Sequence, residues 1–325
     1  MTLPRIGITL GDPGGIGPEI VLKALAPENS LPKAQYIIFG SGFVLEAEMK
    51  RQERKLVIPS FEESRFPSLP GLFLWDIPLP DEGITIGIPS KPNGQASFLC
   101  FEQTVEQAKK GVIQALVTAP ISKMSWEMAG IEWLGHTDYL SHLYPQAIMS
   151  FWSDKLKVAL YTHHLSLKES IQRIKMDALH DFFTRLDRAA KKIQPDGFQL
   201  LVAGLNPHAG EGGLLGSEEN SEIIPAIDQA RKKGVKISGP FPPDTVFLQA
   251  LDHPDRWVIA LYHDQGLIPF KLESFEEGVN LTLSLPFIRT SPDHGTAFDI
   301  AGQNRANPQS LIKAIELASS LSPLF

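Results

Sequence analysis

Short apolar runs bounded by Gly, Pro, Asn and Asp alternate along the 325-residue chain with longer stretches whose apolar positions recur every three to four residues. The short runs are the length of buried strands, and eight of them read so: 5–10, 35–39, 71–77, 115–118, 157–161, 198–205, 257–262 and 280–285. The longer stretches predict helices over 18–26, 98–110, 167–192 in one or two pieces, 218–233 and 308–320. In the second of these, Phe98, Phe101, Val105 and Ala108 share one face, a stripe suited to packing on a core. Alternation of the two kinds predicts an α/β fold with a mostly parallel sheet between helical layers. At this length two lobes are expected, divided here into 1–125 with 275–325 and 126–274.

Composition narrows the function classes. A net charge of −7 argues against a general surface for nucleic acid or anionic membrane, so an anionic ligand needs a local basic pocket. The one cysteine, Cys100, excludes a disulfide within the chain and a cysteine-based zinc knuckle. The first residues lack a basic segment followed by an apolar one, and no apolar run is long enough to span a bilayer, which predicts a cytoplasmic chain without a membrane segment.

Three candidate strands run into histidines: 157–161 into Thr162-His163-His164, 198–205 into Asn206-Pro207-His208, and 257–262 into His263-Asp264-Gln265-Gly266. In open α/β sheets the ligand crevice lies beyond the carboxyl ends of the strands. Three imidazoles there would suit zinc or a similar divalent ion and leave positions for substrate or water. Taken singly, each histidine reads better as a strand cap, and the spacing is not a local metal signature.

The segment Gly11-Asp12-Pro13-Gly14-Gly15-Ile16-Gly17-Pro18-Glu19 follows the first strand and opens a helix, with Pro18 suited to the first helical position. It presents either backbone amides to an anion or a tight turn that shapes a cleft, and it does not spell the dinucleotide fingerprint GxGxxG. Between Gly204 and Gly216 five glycines surround His208, and Ser217-Glu218-Glu219 reads as a helix start. Lys271, Asn280 and Arg289 flank a strand, and Gly135-His136-Thr137 lies in a turn region; Arg, His and Thr together supply donors for phosphate or carboxylate.

GDPGGIGPE, LGHTDYL, THHLSL, GLNPHAGEGG, YHDQGL and GVNLTLSLPFIRTSPDHGTAFDIAG occur in this order from about residue 5 to residue 302, and together they resemble the 4-hydroxythreonine-4-phosphate dehydrogenase family of vitamin B6 biosynthesis. The resemblance implies metal ligands at His164, His208 and His263, and substrate-binding positions at His136, Thr137, Lys271, Asn280 and Arg289, with Asp244 and Asp264 as further polar residues of the cleft. His163 stands where the family commonly has Thr and Ser166 where it has Pro, leaving two registers, His163 or His164, for one ligand. A more distant resemblance, to isocitrate and isopropylmalate dehydrogenases, falls on His294, Gly295, Thr296, Asp299 and Gly302, and implies a nicotinamide cofactor, NAD or NADP, bound without GxGxxG. The family further implies a homodimer whose site takes residues from both chains, and one divalent ion per subunit: zinc, magnesium, cobalt or manganese.

The expected reaction is NAD-dependent oxidation and decarboxylation of 4-phosphooxy-L-threonine to 3-amino-2-oxopropyl phosphate, with Lys271 or Asp264 accepting the proton. D-threonate or D-erythronate 4-phosphate would satisfy the same residues. A binding protein for phosphorylated ligands is the reading from a different class; it has no need of three strand-end histidines.

Overall fold

The computed structural model describes residues 3–61, 69–79 and 83–325; Met1 and Thr2, which belong to the reading of the chain's start, lie outside them. The chain forms two compact units, Met1–Pro145 with Leu285–Phe325, and Gln146–Ser284.

The first unit opens with β1 (Arg5–Thr9), α1 (Gly17–Ala24), β2 (Gln35–Gly40), α2 (Gly42–Arg51) and β3 (Gly71–Asp76). It continues with α3 (Lys91–Lys109), β4 (Ala115–Thr118), α4 (Lys123–Met128) and α5 (His136–Leu143). The second unit holds β5 (Ile148–Trp152), β6 (Lys157–Leu160), α6 (Leu167–Gln172), α7 (Met176–Ile193), β7 (Gln199–Ala203), α8 (Ile224–Lys232) and β8 (Ile237–Phe241). After α9 (Val246–Ala250), β9 (Arg256–Ala260), α10 (His263–Ser274) and β10 (Val279–Leu283), the chain returns to the first unit with β11 (Ile288–Pro292) and α11 (Gln309–Leu321).

Strands of the first unit lie side by side in the order β3, β2, β1, β4, β11, all parallel. The order β10, β5, β6, β9, β7, β8 holds the second unit together, with antiparallel pairing at β10–β5–β6 and parallel pairing beyond. Both are mostly parallel α/β arrangements, as the alternation predicts. Every residue of β2 and β4 is buried, as sheets covered on both faces require. α3 packs on β1, β2 and β4, and α11 on β1, β4 and β11. In α7 the buried Leu179, Phe182, Phe183, Leu186 and Ala190 recur at helical spacing.

Three strands escape the sequence pattern for identifiable reasons. β5 carries Ser150 at its centre, whose hydroxyl donates to the Leu281 carbonyl at 2.6 Å. β8 contains Gly239-Pro240, which is tolerated because β8 is an edge strand of its unit. β11 begins Ile-Arg-Thr and is buried at every position. Five helices, α2, α4, α5, α9 and α10, are likewise absent from the predicted ones, two of them for identifiable reasons. Gly266 and Pro269 mask α10, which starts at His263, and the turn expected at 135–137 is instead the start of α5, entered through Gly135 at φ 142°.

Candidate functional site

In the first unit, parallel pairing of β4 with β11 places Arg289 opposite Leu116, close to the carboxyl end of β4. The Arg289 side chain is 2% exposed and donates to Thr118 Oγ1 at 2.7 Å. Burial pushes the guanidinium down to about 10, so it still carries its charge at neutral pH. The same guanidinium nitrogen lies 3.5 Å from Nδ1 of His136. Because arginine only donates, Nδ1 is the acceptor and the imidazole proton sits on Nε2. That Nε2 is buried and has no partner among the described residues. Phe101 and Trp126 enclose the ring, with centroids 4.5 and 5.6 Å away. Enclosure and then the nearby Arg289 charge hold His136 well below the usual histidine range. The result is a fixed positive charge beside a neutral N–H donor, a pair suited to an oxyanion. Thr137 follows His136 in the first turn of α5.

The depressed His136 pKa predicts a pH effect whose sign can be worked out. Between the folded value and about 6.5 the unfolded chain binds a proton that the folded chain does not, so the contribution is present above 6.5 and is lost as pH falls towards the folded value. Urea denaturation of wild type and His136→Asn at pH 7.5 and 5.5 checks this: wild type should lose more stability on acidification. Equal losses would remove His136 as the cause.

The loop after β11 carries His294, Gly295, Thr296, Asp299 and Gly302, with Ala297, Gly302 and Asn304 in left-handed backbone conformations at φ 42°, 75° and 57°. His294 Nδ1 lies 3.1 Å from the Gly295 carbonyl. The glycine-rich turn does not cradle an anion with its first amides, since three of them are already engaged. Gly14 N donates to Asp12 Oδ1 at 2.8 Å, Gly15 N to the Asp12 carbonyl at 3.0 Å, and Ile16 N to the Thr296 carbonyl at 2.9 Å. Of the two readings, the tight structural turn is the one present.

In the second unit, β6 and β9 are neighbours, with Leu160 opposite Ala260, so the segments that follow them emerge together. His164 and His263 face one cleft of about 250 Å³, shared with Leu165, Leu167, Ser170, Tyr262 and Asp264; His163 does not line it. The two imidazole centroids are 5.8 Å apart. His263 Nδ1 lies 2.6 Å from Asp264 Oδ1, an arrangement that fixes the ring and leaves Nε2 for a ligand. His164 sits at φ 50°, a left-handed conformation that non-glycine residues adopt mainly where surrounding structure enforces it.

His208 does not join this pair. It opens a run of five left-handed residues, His208 to Gly212, with φ between 43° and 77°. Glu219, 2% exposed, braces the preceding turn: its Oε1 accepts from Leu205 N and Asn206 N, both at 2.8 Å, and its Oε2 from Asn206 Nδ2 at 2.8 Å. Among the described residues, no three His, Cys, Asp or Glu side chains come together as a metal-holding group. One chain therefore offers a two-imidazole pair, which does not by itself fit the three-ligand centre expected.

Lys271 lies eight residues beyond His263 on α10, a rise of about 12 Å along the helix. Asn280 is on β10 opposite Phe151, and the exposed Asp244 precedes α9. Sequence reasoning gives no site role to Thr118, Phe101, Trp126 or Glu219. Glu219 is visible only as an acid near a helix start, a position that says nothing of its reach back to residues 205 and 206.

Residues 32–318 match the family model described as pyridoxal phosphate biosynthetic protein PdxA. The chain is 40% identical to a D-threonate 4-phosphate dehydrogenase of Salmonella typhimurium, over 99% of this chain and 100% of that protein. It is 42% identical to a 4-hydroxythreonine-4-phosphate dehydrogenase of Sulfurihydrogenibium sp., over 97% of each. A crystal structure of 4-hydroxythreonine-4-phosphate dehydrogenase from Klebsiella pneumoniae superposes with a TM-score of 0.88 at 37% identity, covering 98% of both chains.

Proposed function

The chain belongs to the PdxA family of pyridoxal phosphate biosynthetic proteins and is a dehydrogenase of that family; from this premise we propose that it oxidises 4-phosphooxy-L-threonine with NAD. The observation that carries the reading is the enclosed Arg289, Thr118 and His136 group, a fixed cation and a neutral donor suited to an anionic substituent of the substrate. Thr137, Asn280, Asp244 and Lys271 are assigned to the rest of the substrate, and the segment His294, Gly295, Thr296, Asp299 and Gly302 to NAD or NADP.

Oxidation removes the proton of the C3 hydroxyl and passes hydride from C3 to the nicotinamide. The resulting β-keto acid loses CO2, and protonation of the remaining enolate at C2 gives 3-amino-2-oxopropyl phosphate. Two residues of this chain are candidates for the hydroxyl proton. Asp264 is engaged with His263 Nδ1, an orienting position, which leaves Lys271 as the preferred acceptor. His136, held neutral, can hydrogen-bond an oxyanion through Nε2 without giving up a full positive charge.

A divalent ion, zinc first among zinc, magnesium, cobalt and manganese, would be held by His164, His263 and a His208 supplied by a second copy in a cytoplasmic homodimer. When bound, such an ion supplies Lewis-acid stabilisation of developing negative charge. Metal analysis and light scattering of His208→Ala test this together: bound metal should fall while the dimer persists, and full metal retention would count against the ligand set.

D-threonate 4-phosphate is the second reading, favoured by 40% identity to a relative of that name over its full length. It differs in carrying a hydroxyl where the amine stands, a change that a polar site discriminates strongly. NADH formation by metal-stripped protein, with each metal restored and each substrate offered, decides between them. We expect 4-phosphooxy-L-threonine to be preferred by roughly tenfold or more in kcat/KM. The reverse order would assign the second substrate, and inactivity with all, despite tight phosphate-ligand binding, would indicate a binding protein.

A further inference from the structure

The loop 294–306 is held from outside itself, by α1 and the turn that leads into it. At the near end, Gly15 and Ile16 abut Thr296: Ile16 N donates to the Thr296 carbonyl at 2.9 Å, and a Cβ at position 15 would come within 2.8 Å of that oxygen. Further on, in the first turn of α1, Glu19 is 1% exposed, and its Oε1 accepts from Ala306 N at 2.7 Å and from Lys23 Nζ at 2.8 Å. Lys23 Nζ also donates to the carbonyls of Asn304 at 3.1 Å and Ala306 at 2.9 Å. Between these fixings the loop has short-range hydrogen bonds, from Ile300 N, Ala301 N and Gln303 N to carbonyls three residues back. It also contains left-handed residues at 297, 302 and 304, whose backbone outside support has to maintain.

A carboxylate this deeply buried is expensive unless paired and hydrogen-bonded, and here its partners are a backbone amide of the loop and the lysine that holds the loop's carbonyls. We propose that Glu19 and Lys23, with Gly15, form a two-point clamp that sets the conformation of loop 294–306 for nucleotide binding. The inference rests on the reading that this loop takes the nicotinamide cofactor. It also explains the glycine-rich motif, in which Gly15 admits Thr296 at one end and Glu19, four residues on, fastens Ala306 at the other. Glu19 and Lys23 are positioning residues that act through the loop.

Glu19→Gln and Lys23→Met are compared with wild type by NADH titration followed by fluorescence, alongside KM values for NAD and for the phosphorylated substrate. Losing a charge-assisted bond at the clamp should weaken NADH binding and raise the KM for NAD by roughly tenfold, with kcat and substrate KM within about twofold. A merely structural role would move both KM values together, and that result would overturn the proposal. Gly302→Val, which strains the loop at φ 75°, separates the clamp from the loop assignment. If NADH affinity falls in Gly302→Val and is unchanged in folded Glu19→Gln and Lys23→Met, the clamp fails alone. If it is unchanged in all three, the assignment of the loop fails with it.

Discussion

Replacing Arg289 by Met should reduce kcat/KM for the phosphorylated substrate by roughly a thousandfold, about 4 kcal/mol of lost transition-state stabilisation. The size follows from the surroundings. Arg289 is buried, keeps its charge with a pKa of about 10, and lies beside a neutral imidazole and a threonine hydroxyl, neither of which can replace the positive charge. Methionine preserves much of the volume, which confines the effect to binding and chemistry. Arg289→Lys should recover only part of the loss, because an ammonium is a point donor without the planar fork that reaches Thr118 and a ligand together. NADH affinity measured on the same variants should stay near wild type. Steady-state kinetics of Arg289→Met within tenfold of wild type would remove the anion grip from this residue.

The largest effect on stability is expected from Gly94→Ala. Gly94 sits in the first turns of α3, where α4 crosses so closely that a Cβ would lie 1.9 Å from the Ser125 carbonyl oxygen and 2.4 Å from its carbon. Backbone cannot swing aside as a side chain can, so the helices must separate, at a cost of about 3 kcal/mol. In a unit of this size that corresponds to a fall in Tm of roughly 10 °C. Separation would also displace Trp126, which is fully buried and donates from Nε1 to Ser97 Oγ at 2.9 Å, and through it the wall of the His136 enclosure. Calorimetry and His136 NMR shifts on one sample check both effects. An unchanged Tm would show that α3 and α4 can part without penalty.

The fold was legible wherever strands are buried on both faces, because such strands read as unbroken apolar runs: β2 and β4 are the clearest. It was illegible where tertiary structure satisfies a polar residue inside a strand. Ser150 donates to Leu281 and Thr290 to Ala314, partners that lie 131 and 24 residues away and leave no local trace. The candidate site shows the same limit. Strand ends identified His164, His208 and His263 as candidates, but sequence does not give the lateral order of strands. β6 and β9 are neighbours, and His164 and His263 meet. β7 also borders β9, yet the backbone turn after it carries His208 away from the pair. His136 was visible as a donor, whereas its neutrality depends on Phe101, which reads as an ordinary core residue, and on Trp126, which carries no signal in the sequence.

The turn from His208 to Gly212 has the handedness natural to D-amino acids. Its glycines adopt that hand without penalty, while His208, Ala209 and Glu211 each oppose it by roughly 1 kcal/mol or more. A peptide cut from this segment would therefore relax to the ordinary hand, and His208 would lose its direction. The mirror-image turn belongs to the folded unit, where the carboxylate of Glu219 fixes residues 205 and 206 from which the turn departs, and so the direction of one imidazole depends on contacts outside its own stretch of chain.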